Sequence, residues 1–385
     1  MLLVFSSSAR YSRSIKEVIT VRYRLGAIEP LQLGYEAFVV FFLFAIYWGQ
    51  FSSSFAGELF LAYLDRADDI VPFEALSYTW GHPEPVDHVT VNGGRLSIAN
   101  NLSIALPYLR REDRDRILWI DAICIDQDDK KERGHQVQQM GKIFSQADTV
   151  VCWLGPATND TNLVMSNLRL LQQESVRRGH RHLNDSWSSI QRAWADRHDD
   201  HNYDKLQSQS PVRQCAGMRL LLESNWFKRV WILQEVANAS RAQVQCGSQS
   251  VSSRVFSTAP TLLGITPSDH CQAVLDIMPG PLRQGSWYSQ QRDLYSLLKH
   301  FRGSEALEPR DKIYALLGIC SDAEDGDRLL QPDYSKPIGQ VIDDAIQHMY
   351  AVDMRGEIGY SDMECFLTNL EFINATALSS LARVP

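Results

Sequence analysis

Ile117-Leu118-Trp119-Ile120-Asp121-Ala122-Ile123-Cys124-Ile125-Asp126-Gln127 is the stretch from which the fold can be read. Its first four residues are bulky and apolar without interruption. That composition suits a strand covered on both faces, as in a parallel sheet. The pattern then changes, with Asp121, Asp126 and Gln127 breaking the apolar run, and a helical pattern begins near Glu132. Two carboxylates and an amide therefore fall where a strand hands over to a helix. In open α/β sheets, ligands bind in the crevice at such strand ends. An Asp at a helix N-cap accounts for Asp128 or Asp129. It does not account for Asp121, which sits inside an apolar run.

The same alternation extends outward. Phe73 to Gly81 reads as a strand ending abruptly at Trp80-Gly81. Val86 to Ile98 alternates around Asn92-Gly93, a hairpin signal. Asn101 to Arg111 places Leu102, Ala105, Leu106 and Leu109 on one helical face. Asp129 is positioned to cap the next helix, with Glu132 three residues on. Thr149 to Gly155 is another short apolar strand, and Leu163 to Val176 is helical. The expected fold class is α/β: a mainly parallel sheet flanked by helices, with the strands at Phe73, Ile117 and Thr149 adjacent or nearly so. From Ser224 to Ala237 the spacing predicts one helix. Trp226, Val230, Leu233 and Ala237 share one face, and Lys228, Trp231 and Glu235 another. Asp293 to Phe301, Glu308 to Gly318 with Pro309 in its first turn, and Ile338 to Tyr350 are helical patterns in a mostly helical C-terminal region.

Three regions follow: 1–69, 70–250 with a polar insertion at about 179–212, and 251–385. The insertion holds His180, His182, His198 and His201, and it reads as a solvated loop rather than a metal site, since no fixed-spacing partner pair supports a metal. In the first region Met1 to Arg24 carries basic residues without a clean cleavage site, a weak targeting pattern. Ala37 to Gly49 is the most apolar run, 13 residues long. A spanning helix needs about 20 apolar residues. A spanning helix, a buried element and a stretch foreign to the domain are all compatible with this run. Its place ahead of the first block leads us to expect a loosely attached helix or a single anchor, not a central strand.

Composition narrows the function. The net charge of −8 and the lack of a long basic run argue against nucleic-acid binding. The seven cysteines form no CxxC pair, which points to a reducing compartment and neither a zinc nor a disulfide framework. A cytoplasmic location is expected, with membrane association through residues 37–49 as the alternative. No Walker pattern or GxGxxG loop is present.

Three blocks carry a resemblance. They are Glu74-Ala-Leu-Ser-Tyr-Thr-Trp-Gly81, Leu118 to Gln127 with Glu132, Gln136 and Met140, and Trp226-Phe-Lys-Arg-Val-Trp-Ile-Leu-Gln-Glu235. In this order they resemble the signature blocks of the fungal heterokaryon incompatibility (HET) domain. Cys246-Gly247, Pro309 to Gly318 and Pro332-Asp-Tyr-Ser335 resemble blocks that follow it in many members. The resemblance implies a role in fungal non-self recognition and programmed cell death. HET domains are remotely similar to TIR domains, in which a Glu on a Trp-containing helix cleaves NAD at the nicotinamide–ribose bond. By that similarity Glu235 is the candidate catalytic residue. Ser77, Tyr78, Trp80 and Gly81 form one wall, Asp121, Asp126 and Gln127 the rim, and Arg229 and Trp231 complete the substrate-binding set. NAD is then a substrate, and no cofactor or metal is called for. The alternative is a non-catalytic module that signals by self-association or with other incompatibility-pathway proteins.

Overall fold

The computed structural model describes residues 40–47, 55–64, 71–81, 85–177, 210–322 and 330–353. Nine strands form one sheet. They are β1 (Val40–Ile46), β2 (Ala56–Tyr63), β3 (Glu74–Tyr78), β4 (Pro85–Val91), β5 (Gly94–Ala99), β6 (Arg116–Trp119), β7 (Thr149–Trp153), β8 (Ala242–Cys246) and β9 (Gln249–Ser252). The order across the sheet is β5-β4-β2-β1-β6-β3-β7-β8-β9. Its centre is parallel: β3 pairs with β6 on one side and β7 on the other, and β7 pairs with β8. The three strands expected to be neighbours are neighbours. Each is short and apolar because both faces are covered. Ala75, Leu76, Val150, Val151 and Leu118 are almost fully buried.

The flanks are antiparallel except where β2 pairs in parallel with β4. β4 and β5 form the expected hairpin, with Asn92 at φ 50° and Gly93 at φ 80° in the turn. Two successive positive φ values match the right-handed twist of the strands, and Asn-Gly tolerates them. Asn92 also ties the hairpin to the body, accepting from the Leu59 N–H at 2.9 Å and donating to the Leu59 carbonyl at 3.1 Å.

The described part of the apolar run departs from expectation. Val40–Ile46 forms β1, hydrogen-bonded between β2 and β6, with Leu43 opposite Phe60 and Phe44 opposite Leu118. Phe41, Leu43, Phe44 and Ile46 are core residues. It is a central strand, neither a loose helix nor an anchor. The physical reason is that an uninterrupted apolar run is what a strand buried on both faces requires. No helix among the described residues is long and apolar enough to cross a membrane. The histidine-bearing insertion lies outside the described residues, as do Met1 to Arg24 and the tail from Gly356.

Helices cover the sheet. Asn100–Leu109 buries Leu102, Ala105, Leu106 and Leu109, the face read from the sequence. Lys130–Gln146 follows the strand end of β6, its N-terminus capped by Asp129, which accepts from the Glu132 N–H at 3.2 Å. Phe144 from this helix meets Trp119 edge-on at 5.3 Å between ring centroids. Helices Asn159–Arg177 and Ser210–Leu222 pack against each other where Gly217 lies on the Asp160 carbonyl. From Ser253 to Asp353 the described chain is a set of mostly short helices.

Candidate functional site

The site starts at the C-terminal end of β3. Ser77 is fully buried and Tyr78 nearly so. The Ser77 hydroxyl accepts from the indole N–H of Trp226 at 2.8 Å. A buried tryptophan needs such a partner, and this one joins the first signature block to the third. Gly81, at φ 80°, turns the chain sharply, and a side chain there would meet Asn101. Asn101 in turn donates to the Thr79 carbonyl at 3.0 Å.

Asp121 opens a one-turn helix, Asp121–Cys124, immediately after β6. Its carboxylate accepts from Trp80 Nε1 at 2.7 Å and from the Ala122 N–H at 2.7 Å. The Tyr78 hydroxyl also faces it, and burial holds that phenol well above its ordinary pKa, so it stays a donor. Burial raises the pKa of Asp121, and Arg229 and the three donors oppose that rise. Gln127 donates to the Asp121 backbone carbonyl at 3.1 Å and so braces the loop. Asp126 is different. It is exposed, and its carboxylate accepts from the N–H groups of Asp128 and Asp129 at 3.1 and 3.4 Å. It shapes the turn before the next helix and does not join the cluster around Asp121.

The third block is not one helix. Asn225–Lys228 is a short 3-10 turn capped by Ser224, Arg229 is extended, and Ile232–Ala237 is a separate short helix. The break is held from far along the chain. The Val230 N–H donates to the Glu305 carbonyl at 3.1 Å, and the Glu305 N–H donates to the Lys228 carbonyl at 2.6 Å. The break parts Trp226 and Lys228 from the residues after Arg229, while Trp231 and Glu235 remain one helical turn apart. Trp231 sends its indole N–H to Asp311 at 3.0 Å, toward the C-terminal helices. The Glu235 backbone N–H donates to the Trp231 carbonyl at 3.3 Å, but the Trp231 indole N–H is directed to Asp311 and not to the Glu235 carboxylate.

Arg229 points the other way. Its guanidinium donates to the Tyr78 carbonyl and lies 3.7 Å from the Glu235 carboxylate. Glu235 is 2% exposed. Burial pushes its pKa up to about 7, and the negative charge of Asp121 adds to the rise, while Arg229 and a hydrogen bond from Ser77 pull it down. One carboxyl oxygen of Glu235, Oε2, has no hydrogen-bond partner among the described residues. Ser77, Tyr78, Trp80, Asp121, Arg229 and Glu235 thus form one polar cluster inside an apolar surround. All three sequence blocks meet in it.

A cleft of about 370 Å³ opens next to this cluster, lined by Thr79, Asn101, Trp153, Gly155 and Ser224 among others. It sits at the C-terminal ends of β3 and β7, the position that open α/β sheets use for ligands. Glu235 does not line it. Glu235 is expected to point into a cleft shared with Ser77 to Gly81 and Asp121 to Gln127; the structure brings it to Ser77, Tyr78 and Asp121 in a buried polar cluster that reaches the surface at Trp80, beside that cleft. Sequence reasoning gave Trp226 only a place on an apolar helix face and passed over Glu305. Trp226 carried a signal, since a tryptophan on a buried face must place its N–H. Glu305 acts through its backbone, and no side-chain pattern records that. Among the described residues no group of three or more His, Cys, Asp or Glu is placed to hold a metal.

Comparison with known proteins bears on this arrangement. The family model "Heterokaryon incompatibility protein (HET)" matches residues 73–235, from the start of β3 to Glu235 itself. Heterokaryon incompatibility protein 6, OR allele, of Neurospora crassa is similar at 29% identity over 309 residues. That alignment covers 68% of this chain and 44% of the relative, so the chain spans less than half the length of the curated protein it matches. No solved structure matches. The matched segment brackets the three blocks that meet in the polar cluster, so the part of the chain that builds the cluster is the part similar to the fungal heterokaryon incompatibility (HET) domain.

Proposed function

We propose that this chain is an incompatibility effector in fungal non-self recognition, and that it drives cell death by cleaving NAD. The observation that carries the reading is Glu235: a buried carboxyl that titrates at about 7, between Arg229 and Asp121, at the strand ends of a parallel sheet. Perturbed carboxyls at such positions are functional-site candidates. In the proposed step the bond between the ribose carbon and the nicotinamide nitrogen breaks, and its electron pair leaves with nicotinamide. Positive charge grows on the ribose, as in other glycosyl transfers. The Glu235 carboxylate stabilises that charge. Water then bonds to the ribose carbon, its proton passes to Glu235, and ADP-ribose is released. The cleft at Thr79, Asn101, Trp153 and Ser224 receives the rest of the dinucleotide, and the reaction requires Glu235 to be uncovered from its 2% exposure.

That same closure favours a second reading. A carboxylate held by Arg229 and Ser77 under full burial is also a lock between three sequence blocks. The effector would then act by self-association, without catalysis. Incubating the purified full chain with NAD, and measuring nicotinamide by chromatography beside light scattering, decides between them. Nicotinamide release that disappears in Glu235→Gln supports cleavage. Absence of release together with concentration-dependent assembly supports the second reading and removes the first.

A further inference from the structure

The short helix Ile232–Ala237 carries Glu235, and it is held from outside the 73–235 segment. Just before it, Glu305 fixes the break at Lys228 and Val230 through two backbone hydrogen bonds. At its N-terminus, Trp231 donates to Asp311 Oδ2 at 3.0 Å. In its first turn, Gln234 donates to the Tyr314 carbonyl at 3.1 Å. At its C-terminal end, Asn238 donates to the Gly318 carbonyl at 3.3 Å. A side-chain carbon at Gly318 would come within 2.7 Å of the Gln234 amide, so the helix Asp311–Leu317 and its end are fitted closely to this one.

Asp311 is the centre of that brace. Its other oxygen, Oδ1, accepts from the Tyr334 hydroxyl at 2.8 Å. Arg310 holds the Tyr334 and Lys336 carbonyls at 2.6 and 2.8 Å, and Arg133 lies 5.0 Å from the centre of the Tyr334 ring. Asp311 therefore joins the Trp231 side chain to the loop at Tyr334, far along the chain, and that loop is itself fixed. The groups that act on the Glu235 carboxyl directly are Arg229, Ser77 and Asp121. Tyr78 and Cys152 also feel its charge. Any influence of Asp311 on Glu235 must travel through Trp231 and the backbone of the helix.

We propose that Asp311 is a positioning residue for Glu235, acting through its hydrogen bond to Trp231 to hold the Glu235 helix closed against β3. The functional unit then extends beyond residue 235 to at least Tyr334. The proposal rests on the reading of Glu235 as the residue that matters, but its test does not depend on NAD cleavage.

The test follows the Glu235 carboxyl by NMR in carbon-13-glutamate-labelled full chain, its resonance assigned by its loss in Glu235→Gln. Asp311→Ala frees the Trp231 end of the helix, and water reaches Glu235. Its titration midpoint is then expected to fall by about one pH unit or more, because desolvation is the main cause of its elevation. Asp311→Asn keeps an acceptor for the Trp231 N–H and is expected to hold the midpoint within about half a unit of the parent. Val89→Ala, in β4 near the far edge of the sheet, is the control for general loss of stability. The proposal is overturned if Asp311→Ala moves the Glu235 midpoint no more than Val89→Ala does. Should Asp311→Ala not fold, Trp231→Phe removes the same bond with the packing nearly kept and is held to the same two outcomes. Nicotinamide release is measured on the same samples. A parent that releases none overturns cleavage while leaving the midpoint comparison to judge the positioning.

Discussion

Replacing Glu235 with Gln changes almost no volume but removes a buried titration, and the consequence for stability can be worked out. In the folded protein the carboxyl titrates at about 7, against a usual 4.5 for a solvated glutamate. The folded state therefore binds this proton more tightly than the unfolded state. The stabilisation it contributes is complete below about pH 4.5 and is lost as the pH rises through about 7. At about 1.36 kcal/mol per pH unit, the loss amounts to about 3 kcal/mol between those limits. A glutamine does not titrate, so the variant lacks this term at every pH. Whatever the amide costs by leaving Arg229 without its carboxylate is nearly constant over the same range. Asp121, the other raised carboxyl in the cluster, is present in both proteins and largely cancels in the comparison. Urea unfolding of parent and variant at about pH 5, 6, 7 and 8 gives the two stability curves. The variant is expected to gain on the parent by about 2.5 kcal/mol between about pH 5 and pH 8, since part of the change falls below pH 5. A difference that stays flat with pH would refute the burial of an ionisable Glu235, and with it the argument that this carboxyl is poised near neutrality.

The remaining expectations concern the joints that hold the cluster in place. Trp226→Phe removes the N–H that Ser77 accepts in a fully buried setting, and unfolding should show a loss of about 1–3 kcal/mol. Parent-like stability would mean that the joint between the first and third blocks carries no weight. Gly217→Ala would set a methyl group 2.2 Å from the Asp160 carbonyl, which must force Asn159–Arg177 and Ser210–Leu222 apart. A destabilisation of about 1–3 kcal/mol or more is expected in the same assay, and a neutral result would sink the close-approach argument.

Much of the central architecture was legible because it is local. The apolar runs at β3, β6 and β7, each followed by helical periodicity, define parallel neighbours without further help. Asn92-Gly93 specifies its turn through the φ values it tolerates, and Asp129 sits where a cap belongs. The convergence of Ser77, Asp121, Arg229 and Glu235 followed from the order of the three blocks and from strand-end geometry. What could not be read depends on partners distant in the chain. The run at Val40–Ile46 has the composition of an anchor and of a doubly covered strand alike, and only its pairing with β2 and β6 decides. The pattern from Ser224 to Ala237 is a good helix in isolation. The chain breaks at Arg229 because Glu305 offers backbone hydrogen bonds there. Trp231 turns from Glu235 to a carboxylate 80 residues away, which no local spacing encodes.

The position of β1 also imposes a timetable on synthesis. Its partnership with β2 is complete once residue 63 has been made, in seven consecutive register pairs. Its other edge waits for Arg116 to Leu118, about 70 residues behind Ile46. At ribosomal rates of roughly 5–20 residues per second, that wait lasts roughly 4–14 s. During it, the backbone of a strand rich in phenylalanine has an unsatisfied row of donors and acceptors, the arrangement most prone to pairing with another chain. The chain thus carries an open, adhesive strand edge for that interval of its own translation.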